Sequence, residues 1–120
     1  MPRPYVQSYW QWRQSQLVTA QLEGGFIQAA SWALYEQVRW NREGITSRDW
    51  ESYPVIRFDN IPDIKVTILD QPNEKSLGAG EATPGPTLAA IGNAIFDAIG
   101  IRMRRMPFTP DAIQRCAYKE

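Results

Sequence analysis

The sequence predicts an α+β fold that amounts to part of a domain. Two apolar stripes at helical spacing, one short alternating strand without an evident partner, and an aromatic load too heavy for 120 residues to cover point that way. Five Trp, five Tyr and four Phe need shelter that a chain of this size supplies poorly, so absent surface is expected to complete the fold.

Residues 1–16 hold Pro2, Pro4, several Gln and the cluster Tyr5, Tyr9, Trp10 and Trp12 without a settled period, and they read as an irregular or extended segment. From Leu17 a helix is predicted, interrupted at Gly24-Gly25 and carried on by Phe26, Ala29, Ala30, Ala33, Leu34 and Val38. Two adjacent glycines weaken a helix, so they imply backbone packed tightly against a neighbour. Asn41-Arg42-Glu43-Gly44 is a turn signal between Val38-Arg39-Trp40 and Ile45-Thr46, which predicts a short hairpin.

Residues 47–60 show no period. Ile64, Val66 and Ile68 then alternate with Asp63, Lys65 and Thr67, the pattern of a strand with one covered face that must pair outside this chain. Asp70 to Ser76 reads as a surface connection. Thr87 is the predicted cap of a helix whose stripe is Leu88, Ile91, Ala94 or Ile95, Ala98 and Ile99, closed by Gly100. A last short helix runs from Pro110 to Ala117 behind the cap Thr109.

Composition excludes several functions. Thirteen basic residues balance thirteen acidic ones, and no basic run exceeds the pair Arg104-Arg105, which argues against nucleic acid or an anionic membrane as partner. With no histidine and one cysteine, Cys116, the chain offers neither an internal disulfide nor a conventional zinc, haem or iron–sulfur ligand set; any metal would arrive in a cofactor. No apolar run has the length of a signal peptide or a membrane span, so the chain reads as soluble and its compartment, cytoplasmic or periplasmic, stays open.

The candidate chemistry centres on Gly78-Ala79-Gly80-Glu81. A carboxylate beside glycine on a loop ahead of a helix has no long neighbour to shade it and could act as a general base; it could equally answer the helix amides. Gln21 and Glu23 precede Gly24-Gly25, where exposed amides could hold a phosphate or the polar edge of a cofactor, ordinary capping and close packing being the alternative. Trp32, Trp40 and Trp50 read as buried packing, because no basic groove interleaves them. The arginines of 102–105 read as a solvated face or as partners of nearby acids. Cys116, at the end of a helix, reads as an inert thiol.

Several dense strings in order carry a resemblance: Gln21-Leu22-Glu23-Gly24-Gly25-Phe26-Ile27-Gln28, Ser31-Trp32-Ala33-Leu34-Tyr35-Glu36, Thr46-Ser47-Arg48-Asp49-Trp50-Glu51-Ser52-Tyr53-Pro54, Gly78-Ala79-Gly80-Glu81, and the run from Pro86 to Thr109. Residues 17–120 thereby resemble the C-terminal fragment of the molybdopterin-binding domain in the large subunit of the xanthine dehydrogenase/aldehyde oxidase family, the molybdenum hydroxylases, closest to bacterial aldehyde- and isoquinoline-oxidoreductase-like members. Residues 1–16 fall outside the match.

The resemblance implies an oxidoreductase that hydroxylates an aldehyde or N-heterocyclic substrate with oxygen derived from water. Glu81 would be the active-site base beside the molybdenum, and Gln21, Gly78, Ala79 and Gly80 would line the molybdenum–molybdopterin cofactor. Iron–sulfur clusters would lie only on a partner subunit or domain. The remaining part of the molybdopterin-binding subunit would be the first partner, since the other cofactor-contacting segments of the family have no counterpart here. A catalytically silent remnant, serving only as a packing piece, is the competing expectation.

Overall fold

A long helix whose small-residue ridge meets a second helix organises the chain. The structure, a computed structural model, describes residues 4–69 and 78–118, with α1 side chains described from residue 15 onward. Helix α1 runs Pro4–Leu34, β1 is Trp40–Asn41, β2 is Gly44–Ile45, a 3₁₀ turn spans Phe58–Asn60, and α2 (Pro84–Ile99) and α3 (Pro110–Ala117) follow. The whole is a partial domain, mostly helical with one small sheet.

Helix α1 corrects the sequence reading twice. It begins at Pro4, so most of the segment expected to be irregular is helical, and it passes through Gly24-Gly25 unbroken. Proline is tolerated in a first helical turn, and residues 5–23 contain no further proline or glycine to stop the helix. The two glycines cost about 1 kcal/mol each relative to alanine. Tertiary contact offsets that cost at Gly25, which is buried, whereas a β-carbon at Gly24 would meet nothing.

Gln21, Gly25, Ala29 and Ala33 recur every fourth residue and form one ridge. Ala29 and Ala33 are fully buried and Ala30 nearly so. Small side chains let α2 approach, and α1 and α2 are the helices that pack together. At the Ala33 end of the ridge lies the core proper: Ala33, Met103 and Phe108, with Leu34, Leu88, Ile91, Ile95, Ile101, Ala112 and Ile113 around them. The Phe108 amide donates to the Ala33 carbonyl at 2.6 Å, which fixes the 101–109 segment to α1.

The hairpin forms as the turn signal requires. Trp40 pairs with Ile45 and Asn41 with Gly44; the Asn41 side chain accepts from the Glu43 amide at 2.8 Å, and Gly44 takes φ +129°, a region that favours glycine. Residues 47–60 are tied down by side chains. Asp49 accepts from the Ser52 hydroxyl and amide, and those bonds, the hydroxyl first, hold its carboxyl below the usual range. The Ile56 amide donates to buried Ser31 at 2.9 Å, and the Tyr53 hydroxyl donates to Glu36 at 2.8 Å, so this stretch is sewn to the end of α1.

No strand forms over 63–69. A strand needs a ladder, and the hairpin is the only sheet among the described residues. The alternation survives as exposure: Ile64 and Val66 are half-buried while Asp63, Lys65 and Thr67 are exposed. The connection expected at Asp70 to Ser76 lies outside the described residues. Helix α2 starts three residues earlier than its expected cap: Thr83 is the cap position and Thr87 is buried inside the first turn. Gly100 closes α2 at φ +72°, and Thr109 caps α3 by accepting from the Ala112 amide at 3.2 Å, both as the sequence predicts.

The three tryptophans expected in a core are exposed: Trp32 at 39%, Trp40 at 75% and Trp50 at 81%. The core is too small to receive them. The chain exposes 10558 Å², against about 6,600 Å² for a compact monomer of this mass. Its radius of gyration is 19.4 Å, against about 14 Å.

Candidate functional site

The glycine loop and the glycine pair of α1 meet in space. A β-carbon built on Gly25 would collide with Oγ1 of Thr83, and would lie 3.4 Å from Thr83 Cβ and 3.7 Å from the Gly80 carbonyl oxygen. Gly25 therefore gives the 80–83 loop its seat, which is the close approach the double glycine implied. Thr83 Oγ1 is buried there without a hydrogen-bond partner among the described residues. Gln21 is one helical turn from Gly25 on the same face and is exposed, so it stands on the side of α1 that carries the loop. Glu23, two residues from Gly25, points to a different side and is half-buried.

Glu81 is exposed, and its carboxylate joins no hydrogen bond or ion pair with the described residues. The reason lies in α2. Pro84 and Pro86 have no N–H, and the Thr87 amide already donates to the Thr83 carbonyl at 3.0 Å, so the first turn offers only the Gly85 amide. The helix thus makes little demand on a capping carboxylate, and Glu81 is left available to something beyond the chain. Gly78 and Gly80 face open space, where a β-carbon would meet nothing within 4 Å. The amides of Gly78, Ala79 and Gly80 donate to no described protein acceptor. What the loop presents is one unengaged carboxylate, unpaired amides and uncrowded backbone, and Gln21 lies one helical turn from the glycine that seats it.

No group of His, Cys, Asp or Glu among the described residues could hold a metal ion directly. The site's donors suit the polar edge of an organic cofactor instead: amide N–H groups, an amide side chain and a carboxylate. The sequence motifs alone pointed to these residues. Thr83 escaped them, its only signal being its place before Pro84 and Pro86.

Gly24 and Gly25 give a paired test of this seating. Gly24→Ala gains the helix preference of alanine and is expected to stabilise by up to about 1 kcal/mol. Gly25→Ala gains the same preference but collides with a stiff β-branched neighbour, and overpacking of that kind costs about 1–3 kcal/mol. Gly25→Ala should therefore fall below Gly24→Ala in thermal midpoint of the assembled subunit, and Thr83→Ala added to Gly25→Ala should restore it. Equal midpoints for the two alanine variants would remove the contact from the account.

The sequence pattern of the molybdopterin cofactor-binding domain matches residues 14–62, a span that includes Gln21 and the Gly24-Gly25 pair. A nicotinate dehydrogenase chain of Pseudomonas putida is 40% identical over 97 residues, 81% of this chain and 8% of that protein. A stretch of that length in 120 residues contains the Gly78–Glu81 loop wherever it begins. A membrane-bound aldehyde dehydrogenase of Gluconacetobacter polyoxogenes, named for pyrroloquinoline-quinone, is 36% identical over 98 residues, 80% of this chain and 12% of the relative. The beta chain of isoquinoline 1-oxidoreductase from Brevundimonas diminuta is 33% identical over 101 residues, 84% of this chain and 13% of that one. The crystal structure of quinoline 2-oxidoreductase from Pseudomonas putida 86 shares the fold at a TM-score of 0.73 and 24% identity, covering 85% of this chain and 14% of that one. The chain thus spans about a tenth of the length of the curated relatives it matches. Among the described residues, no helix is long and apolar enough to cross a membrane.

Proposed function

Since this chain belongs to the molybdopterin-binding family of molybdenum-hydroxylase-type oxidoreductases, we propose that it forms one wall of such an enzyme's cofactor site, with Glu81 as the general base. The observation that carries the reading is the seat of the Glu81 loop on Gly25, which joins two segments far apart in sequence and leaves the carboxylate unengaged. The names of two relatives, with nicotinate and isoquinoline, favour an electron-poor N-heterocycle as substrate; an aldehyde is the other class in the set.

Residue roles follow from the donors. When bound, the molybdenum cofactor supplies the redox chemistry. Gln21 would hold its polar edge with a side-chain amide that both donates and accepts, and the amides of Gly78, Ala79 and Gly80 would donate to it from backbone that no side chain crowds. Glu81 would take up a proton at its carboxylate as oxygen derived from water is delivered to the substrate carbon. Gly25 and Thr83 would keep that carboxylate in place. Iron–sulfur clusters on a partner would carry the electrons away.

The chain alone supplies one face, so cofactor binding should require the rest of the subunit. Purified without a partner, it is expected to hold far less than stoichiometric molybdenum. Co-expressed with the remaining part of a molybdopterin-binding subunit, it should copurify with that part and with molybdenum. Stoichiometric molybdenum in the partner-free chain would overturn the division of the site, and an assembled complex loaded with pyrroloquinoline-quinone in place of molybdenum would overturn the cofactor. A complex that holds molybdenum fully without this chain would leave it a packing piece.

A further inference from the structure

At the opposite end of the α1 ridge, the structure forms a second feature that the catalytic reading does not use. Ala33, Met103 and Phe108 anchor the 101–109 segment between α1 and α3, and beside that anchor lies a groove of about 590 Å³. Arg102, Arg104, Arg105 and Arg115 line it, Met103, Met106 and Pro107 are among its apolar lining, and no acidic residue among the described residues belongs to it. Thirteen acids balance thirteen bases in the chain as a whole, so the groove is a local separation of charge.

Arg102 is already committed. Its guanidinium donates to the Asn93 side chain at 2.8 Å and lies 4.0 Å over the Phe96 ring, which fixes it to α2. Arg104, Arg105 and Arg115 make no hydrogen bond or ion pair with the described residues. Asp111, one turn before Arg115 on α3, forms no ion pair with it; the two share a neighbouring hollow, and Asp111 is not among the residues that line the groove. Solvated face or acid-paired cluster was the sequence expectation; the acid pairing is absent among the described residues, and the arginines converge on one cavity.

We propose that this groove is a docking site for an acidic segment of another polypeptide, one that sets carboxylates against Arg104, Arg105 and Arg115 and an apolar side chain against half-exposed Met106. Guanidinium forks match carboxylates in two parallel hydrogen bonds. Methionine adapts to varied apolar shapes. The volume is that of a site for a multi-atom ligand, larger than an inorganic anion fills. No residue of the 78–83 loop lines the groove, so its occupant does not depend on the role of Glu81.

The test is fluorescence anisotropy of a labelled peptide of alternating glutamate and leucine, titrated at low salt with the chain co-assembled with the remaining part of a molybdopterin-binding subunit. Binding is expected to weaken as salt rises, and to weaken about tenfold or more in R104Q/R105Q/R115Q. In case that variant loses helicity by circular dichroism, the charge-reversed R104E/R105E/R115E is paired with a lysine–leucine peptide, which it should bind and the natural chain should not. Absence of peptide binding at low salt, unchanged binding by R104Q/R105Q/R115Q with helicity intact, or displacement of the peptide by inorganic phosphate at matched ionic strength would each overturn the proposal.

Discussion

Exchanging Glu81 for Gln in an enzyme containing this segment should lower turnover per molybdenum by at least the roughly 10²–10⁴ that a general base contributes, with cofactor content unchanged. Glutamine keeps the volume and one carbonyl acceptor but takes up no proton. The surroundings make a structural side effect small: Glu81 is exposed, has no described protein partner, and precedes a helix whose prolines remove most of the amides a carboxylate could cap. Normalising to molybdenum separates lost catalysis from lost cofactor. Thermal stability of the assembled subunit serves as the control and should move by less than about 0.5 kcal/mol, as for an exposed substitution without partners. Near-normal turnover per molybdenum would return Glu81 to the role of an ordinary loop carboxylate.

The strings that carry the candidate site are read from neighbouring residues, whereas parts of the fold depend on residues far apart in sequence. Gly78-Ala79-Gly80-Glu81 and Gln21-Leu22-Glu23-Gly24-Gly25 are short strings whose physics is local: glycines leave backbone bare, and a lone carboxylate has few neighbours. Local signals also marked the hairpin at Asn41 to Gly44, the Gly100 stop and the Thr109 cap, because each depends on residues within a turn of one another. The start of α2 was misplaced because Thr83, with Pro84 next to it, competes with Thr87, and proline's preference for a first helical turn decided in favour of the earlier threonine.

Expectations that needed partners failed for a different reason. Ile64, Val66 and Ile68 have the alternation of a strand, but a strand exists only in a ladder and no second strand lies beside them among the described residues. Trp32, Trp40 and Trp50 have core chemistry without a core large enough to hold them. Residues 4–16 lacked an apolar period and yet belong to α1, since nothing after Pro4 in that stretch breaks a helix. For the strand pattern and the tryptophans, the missing element is a neighbour that the described residues do not supply.

Taken alone in solution, the chain is therefore expected to associate or to unfold without a sharp transition. Among the described residues the buried apolar side chains are three alanines, Met103, Pro107 and Phe108, and no large side chain is fully enclosed. Against them stand Trp40, Trp50, Phe58 and Leu69, each at least three-quarters exposed. Burying one large apolar side chain contributes about 1.5–3 kcal/mol, whereas ordering each residue costs roughly 1–2 kcal/mol, so leaving these groups in water forfeits much of what would hold the chain together. Exposed large apolar side chains recruit other chains or dye. Isolated protein should bind a hydrophobic fluorescent dye, keep helical far-ultraviolet dichroism and show a broad thermal transition. Its tryptophan emission should lie near that of solvated indole and shift to the blue when the remaining part of the enzyme is added, because Trp40 and Trp50 would then lose water. A monomer that melts cooperatively and binds no dye would show that the core around Ala33, Met103 and Phe108 suffices, and the surplus of exposed surface would then carry no requirement for a partner.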